Sequence, residues 1–433
     1  MMNVPLPRAS DEYCFSSTMK IHCLMKRLSA FILALVAARL LAAPAPPEEL
    51  FARIGAIKEG LSAITGLEFR RDVPYATMTK DQLRKYLEKR LGDTMKPEEV
   101  RAEELRLKML GLVPHDFDLR GNTLDLLTEQ AAAFYDFDQK RLFVLKDAGD
   151  GQEERIALVH ELAHALADQH FHLSKFIHEG TKSDDGVTAR QAVMEGQATW
   201  LMAAYLAREA GGPAEVPAVA IEAMKKSVQS SSEEQYPVFS QAPLYIRESL
   251  VFPYGEGLAF QDAVFRKLGQ RAFAEVFVRP PLSSGQILHP ERYLGRGGVA
   301  NPQPPSPPGP HEFRKLTDGT LGEFDFRVLL TQYTNAEEGA AAAEHLLGGS
   351  YELLEHKREK FAVLGVASAW DSKEAAQKYF ELYGRVMRGK WKKLEITSET
   401  AGQVEGRGDS GYFRVWLDGA TVNQIEGWKR PVP

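Results

Sequence analysis

In Val159-His160-Glu161-Leu162-Ala163-His164, two histidines stand four residues apart with a glutamate between them. On a helix that spacing brings both imidazoles to one face, one turn apart. Two ring nitrogens so placed can reach one Zn²⁺ at about 2.0–2.1 Å. Glu161 then falls beside the open coordination position, where a carboxylate can take a proton from water. The flanks are helical in pattern. Asp150-Gly151-Gln152-Glu153 reads as an N-cap with an acid three positions on. Ile156, Leu158, Val159, Leu162, Ala163 and Leu166 give a wide apolar surface at helical spacing. Polar groups on so apolar a helix are buried and need partners, and a metal would serve all three at once.

Two residues compete to be the third ligand. Glu195 sits in Ala192-Val-Met-Glu-Gly-Gln-Ala-Thr199, within an Ala-rich stretch from about residue 188 to 208 that is helical in pattern. Gly196 inside that helix costs roughly 1 kcal/mol against alanine, which close approach of another backbone, such as the histidine helix, would justify. His170 is the other candidate, because His160, His164 and His170 have the spacing of the metzincin pattern. The glycine that turns the chain in that pattern is Ala167 here, and alanine disfavours a left-handed turn. The helix is therefore expected to continue, carrying His170 round the axis.

His160 to His164, then Ala-Leu-Ala-Asp-Gln-His-Phe171, then Met194-Glu-Gly-Gln-Ala-Thr199, resembles the gluzincin branch of zinc metallopeptidases. The likeness is strongest to secreted bacterial members with Asp-Gln-His-Phe after the zinc motif. It covers roughly residues 124–294. The resemblance implies His160, His164 and Glu195 as ligands of Zn²⁺ and Glu161 as general base, so Glu195 is preferred to His170. The stretch from His164 to Glu195 is longer than in thermolysin-like enzymes, which implies an extra loop around residues 174–186. In this class a downstream Tyr or His often stabilises the oxyanion, and Tyr254 and His289 are the candidates. Asp168, four residues after His164, and Thr199, four after Glu195, could orient the ligands through hydrogen bonds. His172 and His178 read as surface residues near a helix end.

Other elements must position these groups. Residues 129–135 and 141–145 read as two strands before the histidine helix. The resemblance implies that an edge strand there pairs with extended substrate. Residues 48–65 and 80–110 read as helices, with a new start at Lys96-Pro97-Glu98-Glu99. Residues 211–245 read as a loop with one helix, and Phe252-Pro-Tyr-Gly-Glu-Gly257 as the opening of another. Residues 296–310, rich in Gly and Pro, read as a linker. Beyond it, residues 351–356 and 362–369 alternate as strands. Residues 321–331 are strand or helix; 336–347 and 372–388 are helical. Asp418-Gly419 marks a hairpin.

The expected fold is α+β. A zincin-like catalytic domain at 113–295, a small sheet with the histidine and glutamate helices, follows a helical segment at 48–112. A separate α+β domain occupies 311–433. Residues 1–45 read as an extension and secretory leader: Met25-Lys-Arg27, an apolar run to Leu41, then small residues. The apolar run is too short to span a membrane. Cys14 and Cys23 would leave with the leader, so no disulfide is expected. The 433 residues are 44% hydrophobic, enough for a real core, and a net charge of −6 argues against nucleic-acid binding. Lys390-Trp-Lys-Lys393 reads as a solvated element end, and Arg407-Gly-Asp409 as a chance triplet. The expectation is an exported zinc peptidase acting on peptide or protein, with no stable membrane span after leader cleavage. The alternatives are the metzincin-like site with His170, a hydrolase of non-protein amides, and an exported binding protein without catalysis.

Overall fold

The computed structural model describes residues 51–94, 96–146, 152–212, 215–229 and 236–431. The expected leader, Cys14 and Cys23 lie outside them, as does Asp150 of the capping pattern. The architecture is mixed α+β, with a three-stranded and a seven-stranded sheet.

The N-terminal helices are Ile54–Thr65, Lys80–Thr94 and Pro97–Leu110. Pro97 takes the first turn of the third, where its missing N–H does no harm, and Glu99 accepts from the Lys96 N–H. Between the first two lies β1 (Tyr75–Met78), too short to show alternation in the sequence. The small sheet is completed by β2 (Ala133–Asp136) and β3 (Arg141–Leu145). β3 is central, parallel to β1 and antiparallel to β2. The expected first strand begins too early, because residues 129 and 130 end a helix, Leu119–Gln130, capped by Asp118.

Three long helices build the interior. The histidine helix, Gln152–Phe171, packs against β2 and β3 and is buried on nearly every side. That explains its lack of a polar stripe. The glutamate helix, Asp184–Glu209, lies against it and starts at Ser183, whose hydroxyl accepts from the Gly186 N–H. The expected extra loop between them is a helix, Leu173–Glu179, and one tight turn, Gly180–Lys182. His172, at φ +53°, makes the corner. The tyrosine helix, Leu244–Leu268, starts two turns before Phe252 and runs straight through Pro253.

Gly196 has the close neighbour its type suggests, but not the histidine helix. A β-carbon there would lie 2.1 Å from the carbonyl carbon of Gly257 on the tyrosine helix. A β-carbon on Gly257 would lie 2.2 Å from the Ala192 carbonyl oxygen. The glutamate and tyrosine helices thus cross backbone to backbone.

The large sheet is antiparallel throughout: β4 (Phe313–Leu321), β5 (Leu346–His356), β6 (Ala362–Trp370), β7 (Glu395–Thr400), β8 (Gln403–Gly408), β9 (Gly411–Asp418) and β10 (Thr421–Trp428), in the order β4-β5-β6-β10-β9-β8-β7. Gly419, at φ +61°, makes the β9–β10 turn that Asp418-Gly419 predicts. Helices Glu323–Tyr333 and Lys373–Lys390 pack on the sheet. Lys390 is not solvated as its basic run suggests. It is buried, with Nζ 2.5 Å from Glu426 and bonded to the Tyr383 hydroxyl and the Met109 carbonyl. Asp409 accepts from the Lys392 and Lys393 N–H groups, which ties down the Arg407-Gly-Asp409 triplet.

One hydrophobic cluster runs from Ile57 to Val422 without a break. The stretch after residue 295 lies against β5 and β6: the Ala300 N–H donates to the Leu347 carbonyl, and the Pro305 carbonyl closes on Gly365. Across the same junction the Tyr351 hydroxyl donates to Asp184, and the Phe324 N–H to the Ser284 hydroxyl. Among the described residues no helix is long and apolar enough to cross a membrane.

Candidate metal centre

The histidine helix presents His160 and His164 one turn apart, as their spacing requires. Their rings meet edge to face, with Nε2 atoms 3.1 Å apart. Oε2 of Glu195 closes the triangle, 3.1 Å from His160 Nε2 and 3.3 Å from His164 Nε2. All three residues are at most 2% exposed.

Protons alone serve this triangle poorly: if both rings donate from Nε2 to the one carboxylate oxygen, two N–H groups stand 3.1 Å apart. Two imidazole nitrogens and a carboxylate oxygen point at one another, and neutral rings bring at most one N–H each. A cation at the centre accepts all three lone pairs. Tetrahedral zinc with bonds near 2.05 Å separates its ligand atoms by about 3.3 Å, and the three edges here are 3.1, 3.1 and 3.3 Å. The donor set, two nitrogens and one oxygen, is also one that zinc accepts. The residues therefore fit the metal.

Glu161 competes for the ligand role, since its carboxylate lies within 4.8 Å of both ligand nitrogens. Its Oε2, however, accepts from the Tyr135 N–H at 2.7 Å, on the outer edge of β2. Glu195 touches both nitrogens directly, so it is the better third ligand and Glu161 the neighbour beside the metal position. Electrostatics separates the two carboxylates in the same sense. Burial pushes Glu161 up to about 8, against the pull of His164 and the Tyr135 N–H. Burial acts on Glu195 too, but His164 and His160 outweigh it and hold that carboxyl at about 2. One stays ionised as a ligand must; the other can hold a proton.

Tyr135 is the residue the sequence does not flag. Its main-chain N–H holds Glu161, while its hydroxyl donates to Asp168 at 3.0 Å. Asp168 also takes Lys140 Nζ at 2.8 Å and the Leu173 N–H at 3.0 Å. So Asp168 anchors β2 and the start of the next helix rather than orienting His164. A main-chain contact carries no side-chain signature; only the placement of Asp168 on the His164 face pointed here. Thr199 Oγ1 is buried with no hydrogen bond in the structure, so it does not orient Glu195.

Tyr254 is fully buried, its ring stacked on His160 with centroids 5.9 Å apart. His289 is not brought to the pair. Its Nε2 lies 2.7 Å from Glu323 and its Nδ1 3.7 Å from Glu291. His170 is not brought there either: the helix passes Ala167 unbroken, and His170 Nε2 lies 2.8 Å from the Glu68 carbonyl. That engagement removes the geometric basis for a metzincin-like third ligand.

Compared with known protein families, curated proteins and solved structures, the chain matches none.

Proposed function

We propose that this chain is an exported zinc peptidase of gluzincin type, built on a zincin-like domain. The observation that carries the proposal is the buried triangle of His160, His164 and Glu195 with Glu161 at its side. Bound zinc would supply Lewis acidity, which polarises a carbonyl and acidifies water. Glu161, held through Oε2 by the Tyr135 N–H, leaves Oε1 to accept a proton from the attacking water. It returns that proton to the leaving amine. Tyr254 braces His160 through the ring stack and is the remaining candidate for the oxyanion donor. The export part rests on the leader-like residues 25–45 alone.

A second reading is a non-catalytic metal site in an exported binding protein. The burial of all four groups speaks for it, since structural sites are closed. Retention of Glu161 beside the ligands speaks against it. Elemental analysis with a peptide-hydrolysis assay separates the two. The peptidase reading expects about one zinc per chain, unchanged in His170→Ala and absent in Glu195→Ala. It expects Glu161→Gln to keep zinc and lose hydrolysis. Zinc bound without hydrolysis of any peptide or protein would favour the structural reading, and no zinc after reconstitution would sink both.

A further inference from the structure

A cavity of about 330 Å³ opens between the tyrosine helix and helix Glu323–Tyr333. Its walls include Val251, Phe252, Phe324 and Val328, with the two phenylalanine rings 4.8 Å apart at 53°. Two opposite charges, Glu248 and Arg327, line it as well. They feel each other electrostatically yet lie further apart than the 4.0 Å of an ion pair. Among the described residues neither side chain makes a hydrogen bond or ion pair. A third charge, Glu256, is already taken by Lys225 at 2.6 Å.

Half-buried charges left apart against apolar walls are costly unless something arrives to pair them. A guanidinium offers a planar fork that matches a carboxylate. Burial pushes the Glu248 carboxyl up, and Glu256 adds to the rise, while Arg327 and Arg247 draw it back. Opposite charges, each without an ion-pair partner, on the walls of one cavity with apolar rings between the same two helices offer partners to a molecule carrying both signs and an apolar body. The volume falls at the lower end of small-ligand pockets.

We propose that this cavity binds a free apolar α-amino acid, with its carboxylate on Arg327, its ammonium on Glu248 and its side chain against Phe252 and Phe324. The site is separate from the metal centre, and its occupancy does not depend on zinc or on peptidase activity.

Isothermal titration of the purified chain with L-leucine and L-phenylalanine tests this. Saturable binding, one ligand per chain, is expected. Arg327→Ala and Glu248→Gln each weaken it by about tenfold or more, the scale of one charge-assisted contact. N-acetyl-L-leucine and L-leucinamide, each lacking one charge, weaken by a similar factor. Arg327→Lys keeps the charge without the fork and loses less than the alanine variant. Thermal melts identical to the parent keep these losses from being read as misfolding. Absence of saturable binding by either amino acid up to about 10 mM overturns the proposal. So does binding that both variants leave unchanged. N-acetyl-L-leucine binding as tightly as L-leucine would mean a peptide carboxyl terminus is the occupant, and overturns it too.

Discussion

Charge is buried in two very different ways in this molecule. Glu103 and Arg106 form a two-point pair at 2.5 and 2.8 Å, and Lys390 meets Glu426 at 2.5 Å with two further oxygens around it. In both places each carboxylate already faces its cation. At His160, His164 and Glu195 the polar atoms face one another instead, and among the described residues no lysine or arginine pairs with that carboxylate. The first arrangement is complete within the chain. The second could hold an ion from outside, and this is the difference between a structural ion pair and a candidate binding site.

Experiments can break that contrast. The largest effect is expected from Glu161→Gln, which should lower hydrolysis by about 10²–10⁴-fold while zinc content by elemental analysis stays at the parent level. A loss of zinc in that variant would merge base and ligand and collapse the distinction drawn between the two glutamates. Next comes Lys390→Met. Burial pushes the Glu426 carboxyl up and Lys390 draws it part of the way back, so removing Lys390 leaves a buried charge alone. Chemical denaturation at neutral pH should show a loss of about 3–5 kcal/mol. The sign with pH follows: Glu426 binds a proton more readily folded than unfolded, so the loss should shrink as pH falls toward the ordinary carboxylate range. A loss that grows with acid would contradict it. Lys390→Met combined with Glu426→Leu should recover most of the stability, whereas no apolar pair should restore zinc at the triangle.

Gly196→Ala is expected to cost about 1–3 kcal/mol in denaturant midpoint, because its β-carbon meets the Gly257 backbone. It should also weaken zinc binding, since Glu195 is the adjoining residue; zinc affinity unchanged in a destabilised variant would uncouple the crossing from the site. The smallest effect belongs to the exposed Lys429–Glu359 pair, where Lys429→Ala should leave the denaturation midpoint at the parent's value.

The site was more legible in the sequence than the scaffold. The helical spacing of His160 and His164 sets their shared face, and the oddity of Gly196 within an Ala-rich helix announces a close crossing, although not with which helix. The breaks at Pro97 and Asp418-Gly419 are written in turn and cap chemistry and stand where expected. Other parts depend on tertiary context. β1 is four residues long and exists because β3 offers it a parallel edge. The tyrosine helix absorbs Pro253 and two glycines because packing outweighs local preference, so its start could not be read from Phe252. Lys390 looked solvated because its partner, Glu426, is 36 positions away. Tyr135 acts on Glu161 through its backbone, which any residue but proline could do.

The crossing of Gly196 and Gly257 also bears on how this chain can vary over generations. Every amino-acid replacement at either position adds at least a β-carbon, and each glycine stands where the other helix's main chain would meet it. Neither position can drift first and wait for the other to adjust, because the obstacle on each side is backbone rather than a side chain that could shrink. Substitutions near the candidate metal centre should therefore accumulate around this pair and leave it fixed. Two glycines 61 residues apart, with no chemistry of their own, would then mark this arrangement in distant descendants as clearly as the histidines do.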